Sequence, residues 1–221
     1  MKAMRAAALT FALLTLNPAA ADTVRFDRCA SGGLPPKWSI SMTHAGGAPR
    51  WALVSDPTAP TSPCAFAQLS TDPTAGRFPL AVWDGAEFRD GEVSVAFKPV
   101  SGSVDQAAGI VWRYRDANNY YIARANALEN NVVLYKVVDG VRLSIPPKGL
   151  PSRAYGVNHP IATGKWATLR ATFEGAHIAI YLDGQQLFEA EDLSLGRPGK
   201  AGLWTKADSV IYFDNFEAKP K

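Results

Sequence analysis

Across residues 166–191 apolar and polar side chains alternate with period two in three runs, WATLRATF, HIAIYL and QLFEAE, interrupted at Glu174-Gly175 and Asp183-Gly184. Successive side chains of a strand point to opposite faces, so this pattern suits an antiparallel meander and not a helix. The acidic-Gly joins supply the positive backbone angles that tight hairpins need. Leu169, Phe173, Ile178, Ile180 and Leu182 are then the expected core residues, and His177 opens a strand on the face opposite Ile178. A sheet with one apolar face must bury it against a second layer.

The same signal recurs through most of the chain. Residues 109–115, 119–126 and 131–138 alternate, with Asp116-Ala117-Asn118 as the first join, and Asp139-Gly140 leads into a partner strand at 141–145. Residues 92–98 place Val93, Val95 and Phe97 on one face. Shorter candidates lie at 24–27, 38–42, 51–55, 65–70 and 78–82, and two last ones at 199–206 and 209–217. The proline-bearing stretches 56–63 and 146–165 read as loops, and long loops of that kind often carry function. About a dozen strands and no helix predict an all-β, two-sheet antiparallel sandwich of the jelly-roll type.

The stretch 109–135 is chemically mixed. Setting Tyr114 opposite Tyr120 places Ile110, Trp112, Tyr120, Ile122 and Arg124 on one face, and Val111, Arg113, Tyr121, Ala123 and Ala125 on the other. Flat rings to stack on and planar donors for hydroxyls are what a saccharide surface uses, and both are here. Read from the residues alone, the same rings serve equally well as sandwich core, with the arginines as solvated edges.

The chain of 221 residues opens with Lys2 and Arg5, an apolar run over 6–16, and small residues at Ala19, Ala20 and Ala21. That is the pattern of a secretory signal peptide over residues 1–21, followed by one sandwich domain over 22–221. No later stretch reaches the roughly 18 uninterrupted apolar residues of a membrane-spanning helix. The expected location is periplasmic or secreted. Discounting Lys2 and Arg5 leaves 21 basic against 20 acidic residues, a balance that disfavours nucleic acid as a partner. In an exported chain the two cysteines, Cys29 and Cys64, suggest one disulfide; two free thiols are the alternative. Neither CxxC nor histidine spacing accompanies them for zinc.

The order GIVWRYRDANNYY, then WATLRATFEG…IYLDGQQL, then GKAGLWTKADSVIYFDNFEA resembles the concanavalin A-like lectin and glucanase superfamily. Within it the chain is similar to bacterial 3-keto-disaccharide hydrolase-type and laminin G-like domains, over roughly residues 88–218. The resemblance implies a curved sheet whose concave face holds a carbohydrate. Carried onto this sequence, it places Arg113 and Tyr121 on the groove floor and Trp204 on the penultimate strand, with Arg124, Asn126 and Asn131 along the rim. In related sandwiches a structural calcium sits where the first and last strands meet, which makes Asp27 and Asp214 the candidate ligands. No other cofactor is implied.

Related glucanases carry E-x-D-x-x-E on one strand, so that two carboxylates flank the scissile bond. That motif is missing here. Glu87, Asp90 and Glu92 straddle a glycine with the wrong spacing, and Asp116 and Glu129 fall in connections. A saccharide-binding sandwich is therefore the leading expectation. A glycoside hydrolase acting on a keto-disaccharide or glucan is the first alternative, and a non-catalytic envelope module that binds protein is the second. Intact-mass measurement of the exported protein is expected to show loss of residues 1–21 and no alkylatable thiol. An intact N-terminus with two free thiols would refute both expectations.

Overall fold

The computed structural model describes residues 22–26, 29, 33–61 and 63–221, and every regular element among them is a strand. The predicted leader and Asp27 lie outside the described residues. One sheet runs in the order β14 (Gln185–Glu191), β13 (His177–Leu182), β12 (Ala167–Glu174), β6 (Gly91–Ser101), β16 (Val210–Pro220), β4 (Cys64–Gln68) and β3 (Trp51–Ser55), with β1 (Asp22–Val24) beside β16. The other runs β10 (Val141–Ile145), β9 (Asn131–Val138), β8 (Asn119–Asn126), β7 (Ala107–Asp116), β15 (Gly199–Thr205), β5 (Phe78–Phe88) and β2 (Trp38–Thr43). A short strand, β11 (Val157–Asn158), pairs with β9. All pairings are antiparallel, so the molecule is a two-sheet antiparallel β-sandwich. The meander and the mixed stretch, which look alike in sequence, sit in different sheets.

Local chemistry explains the hairpins. Asp139 and Gly140 have φ of 49° and 82°, and Asp183 and Gly184 have 48° and 81°. Two consecutive positive φ values match the twist of the flanking strands in a two-residue turn, and a Gly at the second position removes the steric cost. The first turn sets Val141 against Val138 and so fixes the facing of every residue along β10.

The core lies between the sheets and is dominated by rings. Trp112 of β7 stacks on Tyr121 of β8 at 5.5 Å and on Phe173 of β12 at 5.2 Å, and Phe173 in turn stacks on Phe88 of β5 at 5.8 Å. A second group, Phe26, Trp38, Phe66 and Phe216, packs at centroid distances of 5.0–6.1 Å. Offset stacks contribute roughly 0.5–1.5 kcal/mol each beyond the area they bury. The Cys29–Cys64 disulfide forms, with Cα atoms 5.4 Å apart, and ties the N-terminal segment to β4. Closing a loop of 35 residues constrains the unfolded chain by about 3–4 kcal/mol in the chain-entropy picture.

One irregularity decides which residues face where. Trp112 pairs with Tyr121 and Asp116 with Asn119, so three residues of β7 oppose the single Tyr120 of β8. Arg113, in this bulge, has φ of 46°. Tyr114 does lie against Tyr120, at 5.7 Å, but the bulge puts Trp112 on the opposite, inner face. Arg113 turns inward as well. Its Nε donates to Arg89 O at 2.8 Å, Nη1 to Leu195 O at 3.2 Å, and Nη2 to Gly175 O at 2.8 Å and Asp90 Oδ1 at 3.3 Å. The guanidinium, wholly buried, also sits 5.7 Å from the Tyr121 ring and 5.8 Å from that of Phe173. It pins three loops to one end of the core.

Replacing Arg113 with Leu would strand three carbonyls, each costing about 1–3 kcal/mol when left unsatisfied and buried. The expected loss is about 3 kcal/mol or more in a denaturant titration at unchanged m-value. A loss below about 1 kcal/mol would show that the bulge does not depend on this residue.

Candidate functional site

The second sheet carries an unusual far face, the one turned away from the core. Its side chains come from alternate positions: Phe78, Leu80 and Val82 of β5, Val111 of β7, Tyr120 and Ile122 of β8, Val133, Tyr135 and Val137 of β9, and Trp204 of β15. All of these are buried. A sheet face that looks away from the sandwich core is ordinarily polar, so a second buried apolar cluster here needs its own cover, and Arg142 and the loop residue Tyr155 lie against it.

Tyr135 is the centre of it. The Arg142 guanidinium of β10 lies 4.6 Å from the Tyr135 ring, 4.8 Å from Phe78 and 5.9 Å from Trp204. Arg124 of β8 lies 5.7 Å from the same Tyr135 ring and 5.9 Å from Tyr155. The Tyr155 and Tyr135 hydroxyls share a hydrogen bond, and the two rings meet edge-on at 5.9 Å. Burial pushes the Tyr135 phenol far above its ordinary range, so it stays a neutral donor.

Tyr155 comes from the long loop between β10 and β11. Those two strands follow one another along the same edge of β9, and the intervening residues leave that edge and return to it. The return depends on Gly156, with φ of 65°, where a Cβ would come within 2.2 Å of Val132 O. The Asn130 side chain accepts from Ile161 N at 3.0 Å and its carbonyl accepts from His159 N at 2.9 Å, which holds the far limb of the loop. The loop thus stands Tyr155, 48% exposed, at the rim.

A polar network borders the rings. Arg124 Nη2 donates to Asn131 Oδ1 at 2.9 Å, Nη1 lies 3.0 Å from Glu129 Oε2, and Asn131 Nδ2 donates to the same oxygen at 3.1 Å. Asn126 Nδ2 donates to Asp105 Oδ1 at 2.5 Å, and Lys206 pairs with the other Asp105 oxygen. Burial works to raise the Glu129 carboxyl, but the Arg124 charge and hydrogen bonds from Asn131 and Arg124 outweigh it and hold it below the ordinary range. Two buried donors in this region, Arg124 Nε and Trp204 Nε1, have no acceptor. At the opposite end Tyr120 shares a hydrogen bond with Thr43 at 2.6 Å, and Tyr114 donates to Ser41 Oγ at 3.0 Å.

Of the residues singled out from the sequence, Arg124, Asn126, Asn131 and Trp204 converge on this face. Trp204 forms its floor beneath Arg142 instead of an open stacking platform. Arg113 and Tyr121 do not join them: the bulge turns Arg113 inward, and ordinary alternation along β8 puts Tyr121 on the core side with Ala123 and Ala125. The Tyr121 hydroxyl donates to Asp192 Oδ1 at 2.6 Å and accepts from Leu195 N at 3.1 Å. Asp214 is buried and accepts from Thr61 N and Oγ1, both at 2.9 Å, and from Asn215 N at 2.8 Å. Its proposed calcium partner, Asp27, lies outside the described residues; among those residues no three acidic, histidine or cysteine side chains converge. No helix among the described residues is long and apolar enough to cross a membrane.

Tyr135, Arg142, Tyr155 and Glu129 were not among the sequence-derived candidates. The first two were within reach: a two-residue Asp-Gly turn sets Arg142 opposite Val137 and Ser144 opposite Tyr135, which puts them all on one face. Tyr155 and Glu129 were not, since both lie outside the paired strands and reach the face only through loop geometry.

No protein-family model and no curated protein sequence matches the chain. Among solved structures it is similar to the carbohydrate-binding module CBM66 from Bacillus subtilis, at 20% identity and a TM-score of 0.62, with 83% of this chain and 96% of that one covered. It is similar to a galectin-like-fold protein of unknown function from Bacillus subtilis, at 12% identity and a TM-score of 0.52, with 83% and 90% covered. It also matches a GH43 protein from Bacillus licheniformis, at 15% identity and a TM-score of 0.51, with 77% of this chain but 37% of the longer one covered. At these identities the likeness establishes the shared sandwich fold.

Lowered folded-state values, as for Glu129, contribute stability above the ordinary carboxyl pKa and lose it as pH falls through the folded value. Stability of the protein should therefore decline below the ordinary glutamate value of 4.5, and Glu129→Gln should flatten part of that decline. Thermal melts of both proteins between about pH 3 and pH 7 check this. Superimposable pH profiles would contradict the assigned Arg124–Glu129 pairing.

Proposed function

We propose that the protein is a carbohydrate-binding β-sandwich whose ligand lies on the far face of the second sheet. The observation that carries this reading is the composition of that face: a ring cluster off the core, edged by Arg124, Glu129 and Asn131 and overlooked by Tyr155. Pockets for small polar ligands combine apolar rings with a few placed polar groups, and sugars present C–H faces to the former and hydroxyls to the latter. In this reading Tyr155 stacks on a ring and Glu129 accepts from hydroxyls, with the buried Arg124 holding the Glu129 carboxylate in place. The carbohydrate-binding module and the GH43 protein among the structural neighbours agree with it. The disulfide fits an oxidising, extracytoplasmic setting, and the leader pattern of residues 1–21 points the same way.

A hydrolytic role has less support. A general acid at neutral pH needs a carboxyl whose pKa is raised, whereas that of Glu129 is lowered by its partners. Glu129 is suited to accepting hydrogen bonds.

Glycan-array screening of the mature protein, followed by calorimetry on the best ligand, tests the proposal. Tyr155→Ala and Glu129→Ala should each weaken binding about fivefold to tenfold or more, in line with a loss above 1 kcal/mol for a central contact. Tyr212→Ala, on the first sheet, should leave affinity unchanged. Equal affinity in the Tyr155 and Glu129 variants, with the fold intact, would place the ligand elsewhere.

A further inference from the structure

Charges on the far face of the second sheet balance except at one point. Arg124 is matched by Glu129 and Lys206 by Asp105. Arg142 has no counterpart: among the described residues it makes neither a hydrogen bond nor an ion pair, and its contacts are the rings of Phe78, Tyr135 and Trp204. Other arginines without polar partners, such as Arg115 and Arg197, are solvent-exposed and meet their needs with water. Arg142 is half-buried over an apolar floor, where a guanidinium loses part of its hydration yet keeps its full charge.

The rings also restrict how this group is presented. Held against them, the guanidinium has little rotational freedom left to lose when a partner arrives, and its N–H groups keep a fixed fork. That fork matches two oxygens of one planar or tetrahedral anion better than it matches isolated hydroxyls. Neutral hydroxyls already have suitable partners nearby in Glu129, Asn131 and Arg124. The missing element at Arg142 is a negative charge, and no side chain of the face supplies it.

We propose that the ligand is an acidic saccharide, and that Arg142 binds its carboxylate or sulfate. This rests on the carbohydrate reading and adds a chemical class to it. The anion would sit over the ring cluster beside Tyr155, and the neutral parts of the sugar would lie toward Arg124, Glu129 and Asn131. Because a single unmatched charge is responsible, the preference should be salt-sensitive.

The test is calorimetry of the mature protein with three probes of equal length: an oligogalacturonate, its methyl-esterified form, and a sulfated oligosaccharide. The expected result is at least tenfold tighter binding of one anionic probe than of the esterified one, with the gap shrinking as salt rises from 20 to 150 mM. The oligogalacturonate and sulfated arms separate carboxylate from sulfate. Arg142→Gln should abolish the gap while leaving residual binding of the esterified probe. Arg142→Lys, which keeps the charge but not the fork, should retain the salt dependence and lose part of the affinity. Arg197→Gln, an equal loss of charge at an exposed turn, should change nothing. Thermal melts guard against reading a folding defect as a binding defect.

Equal affinity for charged and esterified probes, unaltered by Arg142→Gln but lost in Tyr155→Ala, would overturn the acidic preference and leave the carbohydrate site standing. Affinity for every probe unaltered by both substitutions, or no binding of any saccharide, would overturn both, and Arg142 would then be a ring-packing residue only.

Discussion

The three-for-one mismatch at Arg113 governs the rest of the second sheet. In a regular strand Trp112 and Tyr114 would share a face. The bulge lets Trp112 enter the core stack with Tyr121 and Phe173 while Tyr114 stands on the far face beside Tyr120. Such a distortion costs backbone hydrogen bonds and a left-handed residue, and it persists only because something else holds it. Here the holder is the displaced residue itself, whose guanidinium satisfies three loop carbonyls at once. Gly199 is the complementary requirement, since a Cβ there would lie 2.5 Å from the Arg113 carbonyl carbon.

The arginines of this protein show how one side chain serves both structure and recognition. Arg77 and Arg113 are fully buried and spend their donors on carbonyls: Gly47, Ala48 and Ala207 for the former, Arg89, Gly175 and Leu195 for the latter. These fasten loops to the sandwich. Arg124 is nearly as buried but keeps Nε unused, and Arg142 keeps every donor unused. A buried donor left unmet, as at Arg124 Nε, is a cost that folding alone does not explain. Moving from the end of the sandwich toward the far face of the second sheet, the same chemistry passes from self-satisfaction to availability.

The far face depends on features that are distant in sequence. The floor comes from β5, β8, β9 and β15, the overlying guanidinium from β10, and the rim ring from a loop that Gly156 and Asn130 steer back to β9. Rigid strands place the floor, and the loop adds the one exposed aromatic. That division is common in binding proteins, where a scaffold fixes geometry and a connection supplies contact.

Period-two alternation and Asp-Gly turns determined the all-β class, because side-chain direction in a strand and positive φ in a tight turn are local properties. They located the meander, the 109–145 hairpins and the last two strands. Alternation and strand pairing put Arg124, Asn126 and Asn131 on one face for the same reason, whereas Trp204 was carried by the resemblance. Two things had to wait for the tertiary structure. The facing of Trp112 and Arg113 hangs on a bulge, since a shift of one residue reverses faces without altering composition, and which face of β8, that of Tyr120 or that of Tyr121, meets the core is set by the other sheet. The sheet to which each hairpin belongs, and the approach of Tyr155 and Glu129 to Tyr135 and Arg124, arise from long-range packing. Whether a donor is met or left open is decided there as well, since it depends on which acceptors the fold brings within reach.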